Sequence, residues 1–223
     1  MLPADPVVLV IGATGYVGAH TVLAAATHSH VQRVIAQVRP ESAGRPRLER
    51  MIEGVPKEVA DRIRLETCDL EPRQVDDLLG RVGPTHIFLC HGTTAKGARR
   101  EGTPDPYEVV DVGITRTLVE AAARQEGDPG LGPRIVYLGS MGTSKSARGA
   151  YLQARWRSEE LLRKSGLPYT ICRAPLITGP DRPQPRTGET WARRALDPLL
   201  GLLGTLGLRR LRGRYTSMDG EEA

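Results

Sequence analysis

Six short apolar runs recur along the chain, separated by longer amphipathic stretches. The first, Val7-Val8-Leu9-Val10-Ile11, has no polar alternation. A strand with apolar residues at successive positions is covered on both faces. Residues 31–38 are rich in β-branched side chains and end at Arg39-Pro40. Further short runs fall at 63–68, 87–90, 134–138 and 169–172. Between them the spacing predicts helices over 16–27, 72–79, 106–125 and 151–164. In the third, Val109, Val112, Leu118 and Ala122 mark the expected core stripe; in the fourth, Leu152, Trp156, Leu161 and Leu162 oppose a charged face. Strands alternating with helices predict an α/β fold with a doubly wound parallel sheet.

Two connections are long, 40–62 with a short helix expected over 47–53, and the Gly/Pro loop 127–133. Each joins neighbours of one sheet, so neither marks a domain boundary. Beyond Pro183 the rhythm changes. The reading is a single domain over 1–182 with a small C-terminal cap over 183–223, including a helix over 189–203. Residues 217–223 look like the start of one more helix, as in a chain cut short or a tail that never packs. Residues 199–208 are apolar and precede Arg209, Arg210, Arg212 and Arg214. That segment is too short to span a bilayer. It reads as a cap over the substrate cleft, or as a surface that lies on anionic lipid.

Composition narrows the class. With 223 residues, 39% hydrophobic and 26% charged, the chain has enough material for one packed core. One Phe and two Trp make that core aliphatic. A net charge of +5 suits an anionic ligand. The arginines are scattered, and aromatic platforms are missing, so nucleic acid is not the expected partner. Cys68, Cys90 and Cys172 are too far apart in sequence for a disulfide framework or a zinc site. No metal is expected. Residues 1–6 lack a basic region followed by an apolar run, so no secretory signal is read, and reduced thiols point to the cytoplasm.

The first run leads into Gly12-Ala13-Thr14-Gly15-Tyr16-Val17-Gly18 and then a helix. Gly12 lets the chain turn off the strand, Gly15 lets backbone amides approach a pyrophosphate, and Gly18 lets helix and strand pack closely. Thr14, Tyr16 and Val17 supply the rest of that backbone. The pyrophosphate faces the positive end of the helix. Strand, turn and helix in this order identify a dinucleotide-binding unit.

The G-x-x-G-x-x-G spacing resembles the extended and atypical short-chain dehydrogenase/reductases. Leu89-Cys90-His91-Gly92-Thr93-Thr94, Tyr151-Leu152-Gln153-Ala154 and Arg173-Ala174-Pro175 with Gly179-Pro180 are similar to the HTATIP2 (TIP30)-like oxidoreductases and their NmrA-like relatives. The resemblance runs from about residue 7 to 195. It implies a Rossmann fold, a nicotinamide cofactor, and hydride transfer to or from a small carbonyl or alcohol substrate. It also implies that Asp69 lies by the adenine amino group and Leu70 by its ring. Gly92 and Thr93 then pass the cofactor ribose, and the backbone after Pro175 lines the nicotinamide. Read from the residues alone, Asp69 serves equally well as the N-cap of the helix at Pro72.

An acidic residue at the tip of the second strand would accept from a ribose 2′-hydroxyl; a basic one favours a 2′-phosphate. Here Ala36-Gln37-Val38-Arg39 ends the strand. Arg39 offers a bidentate phosphate contact, with Arg45 or Arg47 able to join it, so NADP(H) is favoured over NAD(H). As catalytic groups the resemblance implies a Ser, a Tyr and a Lys. Ser140 ends the fifth strand and Tyr151 opens the next helix, but the residue four beyond Tyr151 is Arg155. Arginine supplies positive charge to the phenol, though its fork is shaped differently from an ammonium. Lys145 and His91 are further candidates nearby. Two main readings follow: an active reductase using Ser140, Tyr151 and Arg155, or an NADP(H)-binding regulator, scaffold or assembly factor without turnover. An NAD-dependent epimerase or dehydratase is a third.

Overall fold

In the computed structural model, which describes residues 5–93, 105–125, 132–175, 177–178 and 218–219, each of the six runs becomes a strand. They are β1 (Val7–Ile11), β2 (Arg33–Val38), β3 (Ile63–Thr67), β4 (His86–Leu89), β5 (Arg134–Ser140) and β6 (Tyr169–Ala174). The sheet runs β3-β2-β1-β4-β5-β6, with parallel pairing along the ladder. The order reverses at β1, whose neighbours are β2 on one side and β4 on the other. Such a switch point opens a crevice beyond the carboxyl ends of the two diverging strands.

Every residue of β1 is buried, and its side chains divide strictly between two cores. Val7, Leu9 and Ile11 pack with Ile35, Ile87, Leu89, Ile135 and Tyr137 on one face. Val8 and Val10 pack with Val34, Ala36 and Val38 on the other. The first core is closed by α4 (Pro72–Val82), α5 (107–124) and α6 (Ala150–Lys164), through Leu78, Leu79, Leu118 and Leu162. The second is closed by α1 (Tyr16–Thr27) and α2 (Arg45–Glu53), through Ala19, Val22, Ala26 and Leu48. Each fully buried aliphatic side chain contributes roughly 1.5–3 kcal/mol. Alanines along α1 let that helix approach the sheet closely.

The short α3 (Lys57–Ala60) was not expected; Pro56 stands at its N-terminal boundary. The helix α5 begins as a π-helical stretch, Tyr107–Gly113, and continues as α-helix over Ile114–Arg124. The wider winding shifts the register of its first half. Val109, expected in the core stripe, is therefore 56% exposed, while Asp111 is turned fully inward. The pattern of α6 also differs from expectation. Its innermost residues are Ala154, Arg155, Ser158, Glu159 and Leu162, whereas Leu152, Trp156 and Leu161 are only half-buried.

The chain divides into two compact units, Met1–Cys172 and Arg173–Ala223. In the second, Ile177–Thr178 pairs in parallel with Met218–Asp219. At Met218 and Asp219 this replaces the helix start expected there, and the rest of 217–223 lies outside the described residues. The extended, β-branched Ile177–Thr178 segment offers Met218 and Asp219 backbone partners. The helix expected over 189–203 and the apolar stretch 199–208 lie outside the described residues. Among the described residues, no helix is long and apolar enough to cross a membrane.

Candidate functional site

The sharp exit from β1 puts Gly12 at φ 78°, a left-handed conformation. A side chain is excluded there twice, because a Cβ would also lie 2.8 Å from the backbone of His91 after β4. The turn closes with the Gly15 N–H donating to the Gly12 carbonyl at 2.9 Å. Gly15 then caps α1 with extended backbone and no side-chain hydrogen bond. The first-turn amides of α1 thus have no side chain competing for them, and the helix presents its positive end. A Cβ on Gly18 would run into the Gly12 carbonyl, which confirms the close helix–strand approach expected of that position. Thr14, Tyr16 and Val17 are half-buried around the turn. The three glycines leave a bare-backbone cradle at the switch point, the shape and polarity a diphosphate requires.

The neighbouring strand ends complete this side. Gln37, on β2, is 2% exposed. Its Oε1 accepts from the Gly12 N–H at 3.2 Å, and its Nε2 donates to the Cys68 carbonyl at 2.6 Å. One side chain therefore ties the exits of β1 and β3 together. Arg39 stands exposed beyond the end of β2. Arg45 is engaged along its own helix with Glu49 at 2.8 Å. Arg47 points to the glycine turn, its Nη2 donating to the carbonyls of Thr14 at 3.3 Å and Gly15 at 2.9 Å.

Asp69 is exposed, and its N–H donates to Gln74 Oε1 at 2.9 Å. The N-cap position of α4 is Glu71, without a side-chain bond, so the capping role weighed for Asp69 is not the one it has. Leu70 has φ 64°, the single positive φ outside glycine among the described residues. A leucine held there costs roughly 1–2 kcal/mol. Such strain collects where a fold positions a ligand-facing segment.

The nicotinamide-side residues form a second cluster of very different character. Thr93 and His91 follow β4 and are buried. Asp111 accepts from the Thr93 N–H at 3.0 Å and lies 3.2 Å from Arg155 Nη2. The Arg155 Nη1 also donates to Tyr137 Oη at 3.0 Å, to the Leu138 carbonyl at 3.2 Å and to the His91 carbonyl at 3.4 Å. A Cβ on Gly92 would meet this guanidinium. Ser158 Oγ and Thr115 Oγ1 both donate to the Asp111 carbonyl. The second halves of β4 and β5 and the faces of α5 and α6 thus converge on one buried ion pair.

Electrostatics follow from that burial. Desolvation opposes the charge on Arg155, but Tyr137, Tyr151 and Asp111 outweigh it and hold the guanidinium protonated. Burial pushes the Tyr137 phenol up, with Arg155 opposing it. Burial and the Arg155 charge push His91 down to about 3. Its Nε2 meets Thr115 Oγ1 at 3.2 Å, and its Nδ1 has no hydrogen-bond partner among the described residues. A histidine held neutral in this way is a poor proton donor near pH 7. Burial likewise pushes the Cys90 thiol up to about 11, so it is not an activated nucleophile.

Tyr151 opens α6 half-buried, its ring edge-to-face with Tyr107 at 5.8 Å. The Arg155 guanidinium carbon lies 5.3 Å from the Tyr151 ring centroid and 5.6 Å from that of Tyr137. Ser140 is half-buried at the end of β5, and its Oγ donates to the neighbouring Met141 carbonyl at 3.3 Å. Lys145 is exposed. Pro175 belongs to the second unit. Tyr151 and Arg155 are thus brought together, with Arg155 turned inward on four protein partners.

Sequence reasoning missed Asp111, Gln37 and the inward face of α6. A signal for Asp111 was available: 111, 115, 118 and 122 follow the i, i+4, i+7, i+11 spacing of one helical face. All four are fully buried.

Residues 8–203 match the family described as the NAD dependent epimerase/dehydratase family. The chain is 31% identical over 142 residues to Protein TIC 62, chloroplastic, of Oryza sativa subsp. japonica, covering 59% of this chain and 26% of that protein. Among solved structures it is similar to UDP-glucuronic acid 4-epimerase from Bacillus cereus in complex with UDP-glucuronic acid and NAD. That match has a TM-score of 0.62 and 17% identity over 86% of this chain and 63% of the epimerase. The PhqB reductase domain from Penicillium fellutanum gives a TM-score of 0.62 and 19% identity, over 80% of this chain and 51% of that one. The chain therefore spans about a quarter of the rice protein and under two thirds of either solved chain.

Proposed function

This chain belongs to the NAD-dependent epimerase/dehydratase family, and on that premise we propose that it is an NADP(H)-binding reductase of the atypical short-chain type, acting on a small carbonyl or alcohol substrate. The observation that carries the reading is the uncapped α1 N-terminus behind the Gly12–Gly15 turn, set at the switch point between β2 and β4. Gly12, Gly15 and Gly18, with Thr14, Tyr16 and Val17, would hold the diphosphate. Asp69 and the strained Leu70 would flank the adenine, and Gly92 and Thr93 would follow the cofactor toward its nicotinamide. The preference for NADP(H) over NAD(H) rests on Arg39, exposed at the tip of β2 where no carboxylate stands.

When bound, the cofactor supplies or takes up the hydride. In the reducing direction the Tyr151 hydroxyl gives its proton to the substrate oxygen while the Ser140 hydroxyl orients that oxygen. Arg155 acts on Tyr151 by holding its ring, since the guanidinium carbon lies 5.3 Å from the ring centroid. Its hydrogen-bonding capacity goes to Asp111, Tyr137, His91 and Leu138 rather than outward. That inward engagement favours one competing reading, a dinucleotide-binding regulator without turnover.

Calorimetry with NADPH and NADH, followed by NADPH oxidation against a carbonyl panel, separates the two. Wild type oxidises NADPH with at least one carbonyl, Tyr151→Phe loses about 10²–10⁴-fold in rate, and Arg155→Lys retains activity. Tight binding with no oxidation across the panel would establish the regulator. Activity that survives Tyr151→Phe would remove Tyr151 from the proton-donor role.

A further inference from the structure

We propose that Arg47 is a positioning residue that presets the glycine turn for a diphosphate, rather than a ligand of the 2′-phosphate. The inference rests on the dinucleotide reading above and adds a part to that site. Helix α2 is anchored by the fully buried Leu48, which fixes the direction in which Arg47 leaves the helix. The N-terminal end of α2 sits directly on the turn. A Cβ on Gly44 would lie 2.6 Å from the Thr14 carbonyl, and Ser42 Oγ donates to Thr14 Oγ1 at 2.9 Å. From this platform Arg47 Nη2 reaches both the Thr14 and the Gly15 carbonyls, and the guanidinium lies 5.9 Å from the Tyr16 ring centroid.

The consequence comes from peptide geometry. In a trans peptide the C=O of one residue and the N–H of the next point in opposite directions across one rigid plane. Holding the Thr14 carbonyl therefore fixes the Gly15 N–H, which closes the turn onto Gly12 at 2.9 Å. Holding the Gly15 carbonyl fixes the direction of the Tyr16 N–H, one of the uncapped amides at the start of α1. A guanidinium on the carbonyl side also polarises these peptide groups, so their amides become better donors. With no side chain capping α1, this outer brace and the inner one from Gln37 keep the bare turn in one shape before any ligand arrives. Preorganisation of this kind raises affinity by removing an ordering cost from the binding step.

The test compares Arg47→Gln with Arg39→Gln by calorimetry against NADPH and NADH. It also measures backbone amide exchange over residues 12–18 in the nucleotide-free proteins. Arg47→Gln is expected to weaken both nucleotides by the same factor, about tenfold, and to speed exchange in the turn without changing the global melting temperature. Arg39→Gln is expected to weaken NADPH alone and leave the turn untouched. If Arg47→Gln weakens NADPH alone, Arg47 is a phosphate ligand and the proposal is overturned. An affinity loss with unchanged exchange would reduce Arg47 to a bare charge and overturn it too. Wild-type protein that binds neither nucleotide would instead refute the dinucleotide reading itself.

Discussion

At the exit of β1 the chain approaches itself through glycine and alanine; at the exits of β4 and β5 it does so through a carboxylate, a guanidinium and two phenols. The first region owes its shape to what is missing. Gly12 and Gly18 leave no room for a Cβ, so the backbone itself becomes the binding surface. The second region is filled with polar side chains that bind one another, though His91 Nδ1 and Arg155 Nε have no hydrogen-bond partner among the described residues. Asp111 and Arg155 are 0% and 6% exposed and draw in Thr93, Tyr137, His91 and Leu138. A bare-backbone turn tolerates little beyond glycine but needs no charge balance. A buried polar cluster is secure only while every member keeps its partner.

The largest expected effect lies in the second region. Arg155→Met leaves the Asp111 carboxylate buried without its cation and should cost about 3–5 kcal/mol in urea unfolding. Adding Asp111→Asn removes the stranded charge while keeping an oxygen for the Thr93 N–H, and should recover most of that loss. A small loss in the single variant would mean that water replaces the guanidinium, and the contrast between the regions would weaken.

A smaller effect is expected from acid. His91 is held at about 3 by burial and by the Arg155 charge, against roughly 6.5 for an unfolded histidine. The unfolded chain therefore binds more protons between these values, so stability is full above about pH 6.5 and falls as the pH drops toward 3. At pH 5 the loss from this group is about 2 kcal/mol. Comparing melting temperatures at pH 7 and pH 5 for wild type and His91→Gln measures it. The variant should lose less on acidification; an equal loss would show that His91 titrates normally in the fold.

The two regions also differ in how well the chain advertises them. The first apolar run predicts its strand because a strand covered on both faces has no polar alternation to mislead, as the complete burial of β1 shows. The glycine turn is legible for a related reason: Gly12, Gly15 and Gly18 have no side chains, so spacing alone states their job. The polar cluster is hidden because Arg155 and Ser158 carry the residue types of a solvent-facing stripe, and only the tertiary fold turns them toward Asp111. The π-helical start of α5 adds a register shift that exposes Val109, while Asp111 shares the buried stripe of Thr115, Leu118 and Ala122. Gln37 is hidden for another reason: its two partners, Gly12 and Cys68, lie 25 and 31 residues away.

The central claim is that bare amides at the start of α1 hold a diphosphate, and Gly15→Val tests it most directly. Gly15 has φ −70°, a conformation valine adopts, and a Cβ there meets only the Gly12 carbonyl oxygen, at 3.1 Å. The variant should therefore fold, while its side chain stands over the first-turn amides. Calorimetry on the folded variant should show NADPH affinity reduced by about a hundredfold or more, an effect of about 2.7 kcal/mol. Unchanged affinity in a protein with wild-type melting behaviour would contradict the account.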